Sequence, residues 1–173
     1  MDSIWSFIFK SKEQEQEETL TVLRRLPIFK DLSKREVSSI ERILHRRNYA
    51  PGEEIFTYGV PGAGMYIILS GEVSIIHESG NKEIALLKEG EFFGEMALLD
   101  ESPRSATARA KSQCVVLGFF QSDLFSLLER SPKLGSKIVL RLARIVGERL
   151  KYSNQQVFSL QEKFKLTDKG ANT

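Results

Sequence analysis

Apolar positions along this chain fall into three rhythms. From Thr19 to Asn48 they recur every three or four residues: Leu20, Leu23 and Leu26, then, beyond Pro27, Val37, Ile40, Ile43 and Leu44. That spacing predicts helices, with Pro27 breaking the chain direction between them. Ser33 followed three residues later by Glu36 is a helix start in which each side chain can satisfy the other's backbone N–H. Between Tyr49 and Phe120 the rhythm shortens to Glu54–Thr57, Met65–Leu69, Glu72–Ile76, Glu83–Leu87 and Val115–Leu117. Turn signals separate these runs at Pro51-Gly52, Gly59, Pro61-Gly62-Ala63-Gly64, Ser70-Gly71, Ser79-Gly80-Asn81 and Glu89-Gly90. Many short strands at regular spacing predict a small antiparallel sandwich or barrel. The glycines are read as turn formers, and no Gly-Lys-Ser or Gly-Lys-Thr follows Gly62 and Gly64, so a triphosphate-binding loop is not expected there.

The third rhythm begins after Ser122–Leu128, a short helical run that ends near Ser131-Pro132. From Pro132 to about Leu166 a long helix is expected. Along it Val139, Ala143, Val146, Leu150, Ser153, Val157, Leu160 and Phe164 alternate by four and three, a heptad seam. A seam of that length leaving a β domain predicts pairing with a second copy of the chain. Packing back on its own domain is the alternative, and Leu134, Ile138, Leu142 and Ile145 offer the second apolar face it needs. Ser153, with Asn154 beside it, interrupts the seam and can fix its register.

These rhythms divide the chain into an N-terminal extension (1–18), N-terminal helices (19–48), a β-rich unit (49–121), C-terminal helices (122–166) for hinge and dimer contacts, and a tail (167–173). In the extension Ile4, Trp5, Phe7 and Ile8 can form one apolar helix face, ahead of the acidic run from Glu13 to Glu18. Few basic residues flank that face, so packing within the chain or a dimer is expected rather than a membrane role.

The segment from Phe92 to Ala110 carries the chemistry. It sets Gly94, Glu95 and a short helical turn a few residues before Arg104 and Ser105. Helix-start N–H groups attract anions, and an arginine adds bidentate charge-assisted pairs to phosphate oxygens. Glu95 repels the same anion, and its natural partners are donors such as ribose hydroxyls. An ordinary internal Glu95–Arg104 salt bridge is the plain alternative, but it gives no reason for Gly94, Ala97 and Ala106 at their spacing.

The order Phe93-Gly94-Glu95-Met96-Ala97-Leu98, a short spacer, then Pro103-Arg104-Ser105-Ala106-Thr107 resembles the phosphate-binding cassette of cyclic nucleotide-binding domains. Such domains occur in protein kinase A regulatory subunits and bacterial catabolite activators. The resemblance implies an α+β fold: an antiparallel, jelly-roll-like β-roll with N-terminal helices, a short cassette helix and a long C-terminal helix. It implies that Glu95 accepts from the ribose 2′-OH. Arg104 and Ser105 would take the cyclic phosphate, with backbone N–H groups around Gly94, Glu95, Met96 and Ala97 and with Ala106 close by. Leu26–Ser33 resembles the family's N-terminal helices. Arg149–Val157 resembles the dimer helix of the catabolite activators, which makes Ser153 and Asn154 candidates to read the base. Ile75, Ile84 and Leu87 are expected pocket walls. The Arg104-Ser105-Ala106 string favours 3′,5′-cyclic AMP as the ligand; Ser105 can also serve the 2-amino group of guanine, which keeps cyclic GMP open.

Composition narrows the classes. At 173 residues, 41% hydrophobic and 28% charged, the chain has the makeup of one globular domain with extensions, and its net charge of +2 does not point to nucleic acid. After the long helix only Lys165–Thr173 remains, so no DNA-recognition helix is expected. No apolar run nears the ~20 residues of a membrane span, and the N-terminus lacks a small-residue cleavage site; a cytoplasmic setting is expected. Cys114 sits in an apolar run and is read as core. With one cysteine and two scattered histidines, His45 and His77, no metal cluster or cofactor is expected. Glu95 and Asp100 have no nucleophile beside them, so an enzyme is not expected. From Arg130 to Lys169 ten basic residues stand against Glu148, Glu162 and Asp168, a solvated face or a surface for an acidic partner. The function expected is a cyclic nucleotide sensor that signals to an unknown downstream protein by moving its C-terminal helix. The alternative is a dimeric scaffold that keeps the fold without nucleotide.

Overall fold

Backbone pairing in the computed structural model groups eight strands into two antiparallel sheets, ordered β1-β8-β3-β6 and β2-β7-β4-β5. The structure describes the backbone of residues 2–79, 82–100 and 102–170 and the side chains of residues 12–79, 82–100 and 102–163. The apolar face expected around Trp5, the turn at Gly80-Asn81, the seam residue Phe164 and the end of the tail therefore lie outside the described residues. The strands are β1 (His45–Tyr49), β2 (Glu54–Phe56), β3 (Gly64–Ser70), β4 (Val73–His77), β5 (Lys82–Leu87), β6 (Phe92–Phe93), β7 (Thr107–Ala110) and β8 (Cys114–Phe120). The helices are α1 (Asp2–Arg25), α2 (Lys34–Glu41), α3 (Gln121–Arg130) and α4 (Pro132–Gly170). This is the antiparallel β-roll with flanking helices that the resemblance implied.

Two strands explain the layering. In β3, Met65 and Ile67 face the helices while Ile68 faces the other sheet. In β8, Leu117 and Phe119 face the helices while Cys114 and Val116 face between the sheets. Both strands are covered on both sides, which is why they read as continuous apolar runs rather than alternating ones. The larger core lies under the helices, where Leu23, Leu26, Ile28, Phe29, Val37 and Ile40 meet Ile138 and Leu142 of α4. The α2 start forms as the sequence predicts: Ser33 Oγ accepts from Glu36 N–H at 3.3 Å, and Glu36 accepts from Ser33 N–H at 2.7 Å.

Two segments differ from the expectation. Helical structure was expected through Asn48, yet His45–Tyr49 is an edge strand paired with β8. Its side chains are largely exposed, so main-chain pairing determines it without an apolar signature. The cassette helix is a single 3-10 turn, Glu95–Leu98.

Candidate functional site

Arg104 enters from a strap rather than a strand. Its N–H donates to Val60 O and its carbonyl accepts from Gly59 N–H, each at 2.9 Å, and Pro61 bridges to Pro103. Held there, the side chain turns inward and is 7% exposed. Nη2 donates to Gly64 O at 2.7 Å and Nη1 to Gly94 O at 3.2 Å. The guanidinium carbon lies 4.0 Å from the centroid of the Phe56 ring. Nε has no hydrogen-bond partner among the described residues. Burial pushes this guanidinium below its ordinary pKa, while Tyr66 and Glu95 act in the other direction. Arginine nevertheless stays charged in proteins. A buried cation without an acid at hydrogen-bond distance is costly unless an anion is intended for it.

Three glycines make room. Gly94 adopts φ +74°, and a Cβ on it would stand 2.6 Å from Arg104 Nη1. A Cβ on Gly62 would stand 2.6 Å from Ala97 Cβ and 3.3 Å from Arg104 Nε. Gly64 backs onto the Phe119 carbonyl and lends its own carbonyl to Arg104. Gly62 and Gly64, expected only as turn formers, thus shape the arginine's seat.

Glu95 opens the 3-10 turn and is 6% exposed. It does not pair with Arg104. Its partner is Arg149 of α4, whose Nη1 lies 2.5 Å from Glu95 Oε1 and whose guanidinium lies 5.1 Å from the Phe92 ring centroid. Glu95 and Arg104 line one cavity of about 330 Å³. Gly94, Met96, Ala97, Ser102, Ser105 and Ala106 line it together with Phe56, Ile75, Ala85, Leu87 and Phe92. The Ala97 N–H is already engaged by Gly94 O at 3.2 Å.

Of the expected site residues, Ile84 and the pair Ser153–Asn154 are not at the cavity. Ile84 is 55% exposed, because β5 alternates and turns Ala85 and Leu87 inward instead. Ser153 and Asn154 sit on the part of α4 that has left the domain, all of it exposed from Glu148 to Lys163. Phe56, Ala85, Phe92, Ser102 and Arg149 were not foreseen. For Arg149 a signal existed: it continues the Leu142–Ile145 stripe that packs on the domain, where another apolar residue would be due.

The cavity gathers guanidinium groups, two serine hydroxyls, a carboxylate and apolar side chains around one space. This suits a small anion carrying hydroxyl donors and an apolar ring. The family model described as the cyclic nucleotide-binding domain matches residues 46–131, which include every cavity residue except Arg149.

This chain belongs to the cyclic nucleotide-binding domain family.

Within the family it is 38% identical over 125 residues to the cyclic AMP receptor protein of Thermus thermophilus, an alignment covering 70% of this chain and 58% of that protein. It is 35% identical over 94 residues to the cAMP-dependent protein kinase regulatory subunit of Yarrowia lipolytica, covering 54% of this chain and 25% of the relative. Among solved structures, a cyclic nucleotide-binding domain from Methylobacillus flagellatus superposes with a TM-score of 0.72 at 29% identity, covering 84% of this chain and 83% of that one. The chain thus spans little over half of the first relative and a quarter of the second. Among the described residues no helix is long and apolar enough to cross a membrane.

Proposed function

We propose that this chain is a regulatory module that binds a 3′,5′-cyclic nucleotide, cyclic AMP in preference to cyclic GMP, and works as a homodimer through α4 without catalysing a reaction. One observation carries the reading: a buried arginine with an unpartnered Nε faces the same cavity as Glu95. Arg104 and Ser105 take the cyclic phosphate, Glu95 accepts from the ribose 2′-OH, and Ile75, Ala85 and Leu87 flank the base. The likeness to a cyclic AMP receptor protein and to regulatory subunits named for cyclic AMP supports both the ligand class and the non-enzymatic role. Ser153 and Asn154 read the base only if the exposed half of α4 is brought over a cavity, its own or that of a second copy.

The Glu95–Arg149 pair favours one other reading. Glu95 is satisfied without nucleotide, as a scaffold would require. Arg104 keeps its Nε without a partner among the described residues, which supports the sensor. Titration with cyclic AMP and cyclic GMP under thermal unfolding tests this, because a ligand that binds only the folded state raises its melting temperature. Stabilisation by either nucleotide is expected, the larger with cyclic AMP. No shift with both would leave the scaffold.

A further inference from the structure

The two charges that would grip the ligand have opposite signs and face one cavity, so the empty-handed protein must stop them from pairing with each other. We infer that Phe56 is a positioning residue that holds the Arg104 guanidinium by its aromatic face and keeps it away from Glu95. The inference rests on the cyclic nucleotide reading above and concerns how the phosphate-binding group is kept ready.

Geometry supports it from three sides. First, the guanidinium carbon is 4.0 Å from the Phe56 centroid, well inside the reach of a cation–π contact, with Tyr66 behind at 5.9 Å. Second, the ring is itself fixed. Phe56 from β2, Tyr66 from β3 and Phe93 from β6 form a closed triangle with centroid separations of 5.7 to 5.9 Å. Third, the accounting of N–H groups fits. Two of the five guanidinium donors go to the carbonyls of Gly64 and Gly94. A carboxylate in the place of Phe56 would consume more of them and repel an arriving phosphate. An aromatic face compensates the charge while consuming no donor. On the other side Arg149 occupies Glu95. Each ligand-binding charge therefore has a partner that is not the other.

If the ring's electrostatic face is removed, Arg104 keeps only its two carbonyl acceptors, and Glu95, which lines the same cavity, is the acid to which it can turn. The nucleotide must then break that pair before it binds. The loss should therefore appear in affinity and depend on the ring's charge distribution, not its bulk.

The test is site-specific incorporation of mono-, di- and trifluorophenylalanine at position 56, alongside Phe56→Leu, with cyclic AMP affinity measured by calorimetry. Fluorination keeps shape while draining the ring face. Affinity is expected to fall stepwise, by about three- to thirtyfold over the series, matching the strength of a partly desolvated cation–π contact. The nucleotide-free protein should stay folded, its melting temperature falling by no more than a few degrees as the contact weakens. Equal affinity across the fluorinated series overturns the inference, as does a loss seen with leucine alone, which would make Phe56 merely a wall. A second readout needs no ligand: the Arg104 Nε–H proton, assigned by its disappearance in Arg104→Lys, should be shifted upfield by the ring and return toward the ordinary position in Phe56→Leu. An unshifted resonance in the wild type overturns the stacking itself. Failure of the wild type to bind either nucleotide would instead strike the functional reading, and the resonance position still separates the two.

Discussion

A guanidinium sealed from water against two carbonyl oxygens and an aromatic ring is an expensive arrangement, and its cost is the measure of what Arg104 is for. Replacing it removes a buried charge that no carboxylate pairs with, so Arg104→Ala should fold with little change in melting temperature. Cyclic nucleotide affinity should fall at least tenfold, since a phosphate left desolvated without its cation loses on the order of 2–5 kcal/mol. Calorimetry giving equal affinity for mutant and wild type would refute the assignment. Gly94 allows a sharper comparison with Gly90. Both have positive φ, +74° and +78°, but a Cβ on Gly90 meets nothing within 4 Å, whereas one on Gly94 strikes Arg104. Either alanine should cost roughly 1–2 kcal/mol for the left-handed backbone. Only Gly94→Ala should also weaken nucleotide binding, and a matching loss in Gly90→Ala would show that backbone strain alone is being measured. Glu95 and Arg104 were legible as candidates because holding a phosphate beside a hydroxyl calls for those types in close succession, and one cavity is lined by both. Phe56 was not. Its position reads as one more apolar strand residue, and the ring's use as a seat depends on a strap fifty residues away.

At the scale of elements, α4 is fastened to the domain by cations along its length. Lys137 donates to Glu36 at 2.7 Å, Arg141 pairs with Asp31, and Arg149 closes on Glu95. The Lys137 ammonium, with the Ser33 N–H, holds the Glu36 carboxyl at about 2, against its ordinary 4.5. A carboxylate held low stabilises the fold fully above the ordinary value and loses that contribution as pH falls from 4.5 towards 2. Because the pair is partly exposed, about 0.5–1 kcal/mol is expected after screening. Urea unfolding of wild type and Glu36→Gln should therefore differ by that amount at pH 7 and converge near pH 2. A pH-independent gap would assign the effect to the helix cap instead. Arg149→Gln tests the outermost fastening. Amide hydrogen exchange around Glu148–Tyr152 should quicken in the nucleotide-free protein, while exchange near Ile138 stays slow, and unchanged protection would mean that the pair does not hold the helix. The helices from Leu20 onward and five of the strands were readable because apolar side chains mark them, whereas Lys12 to Glu18 is helical without an apolar residue. Strand β1 was not readable, because polar His45, Arg46, Arg47 and Asn48 hide a segment that is a strand only through its ladder to β8.

For the whole molecule, α4 divides at Arg149. On the domain side Leu134, Ile138 and Leu142 are buried; beyond it Leu150, Val157 and Leu160 are 60, 50 and 53% exposed. The sequence offered both a seam for a second copy and a face for the domain, and the helix uses the second face in its first half. The choice was hidden because one stretch carries both patterns and only the docking of the helix separates them. Apolar side chains at heptad spacing on a helix that has left its own core gain nothing in water, and a partner helix is what would bury them. Placing charge in that seam is the direct check. Leu150→Asp with Val157→Asp should leave the domain core untouched, since neither residue contributes to it. Light scattering should then report the 19.7 kDa of a single chain, against twice that mass expected for the wild type. If Ser153 and Asn154 reach the base only across such a pair, the monomeric variant should also bind cyclic AMP and cyclic GMP with nearly equal affinity, while still depending on Arg104. A variant that stays dimeric, or a wild type that is already monomeric at micromolar concentration, would remove the seam from the mechanism and leave recognition to the cavity alone.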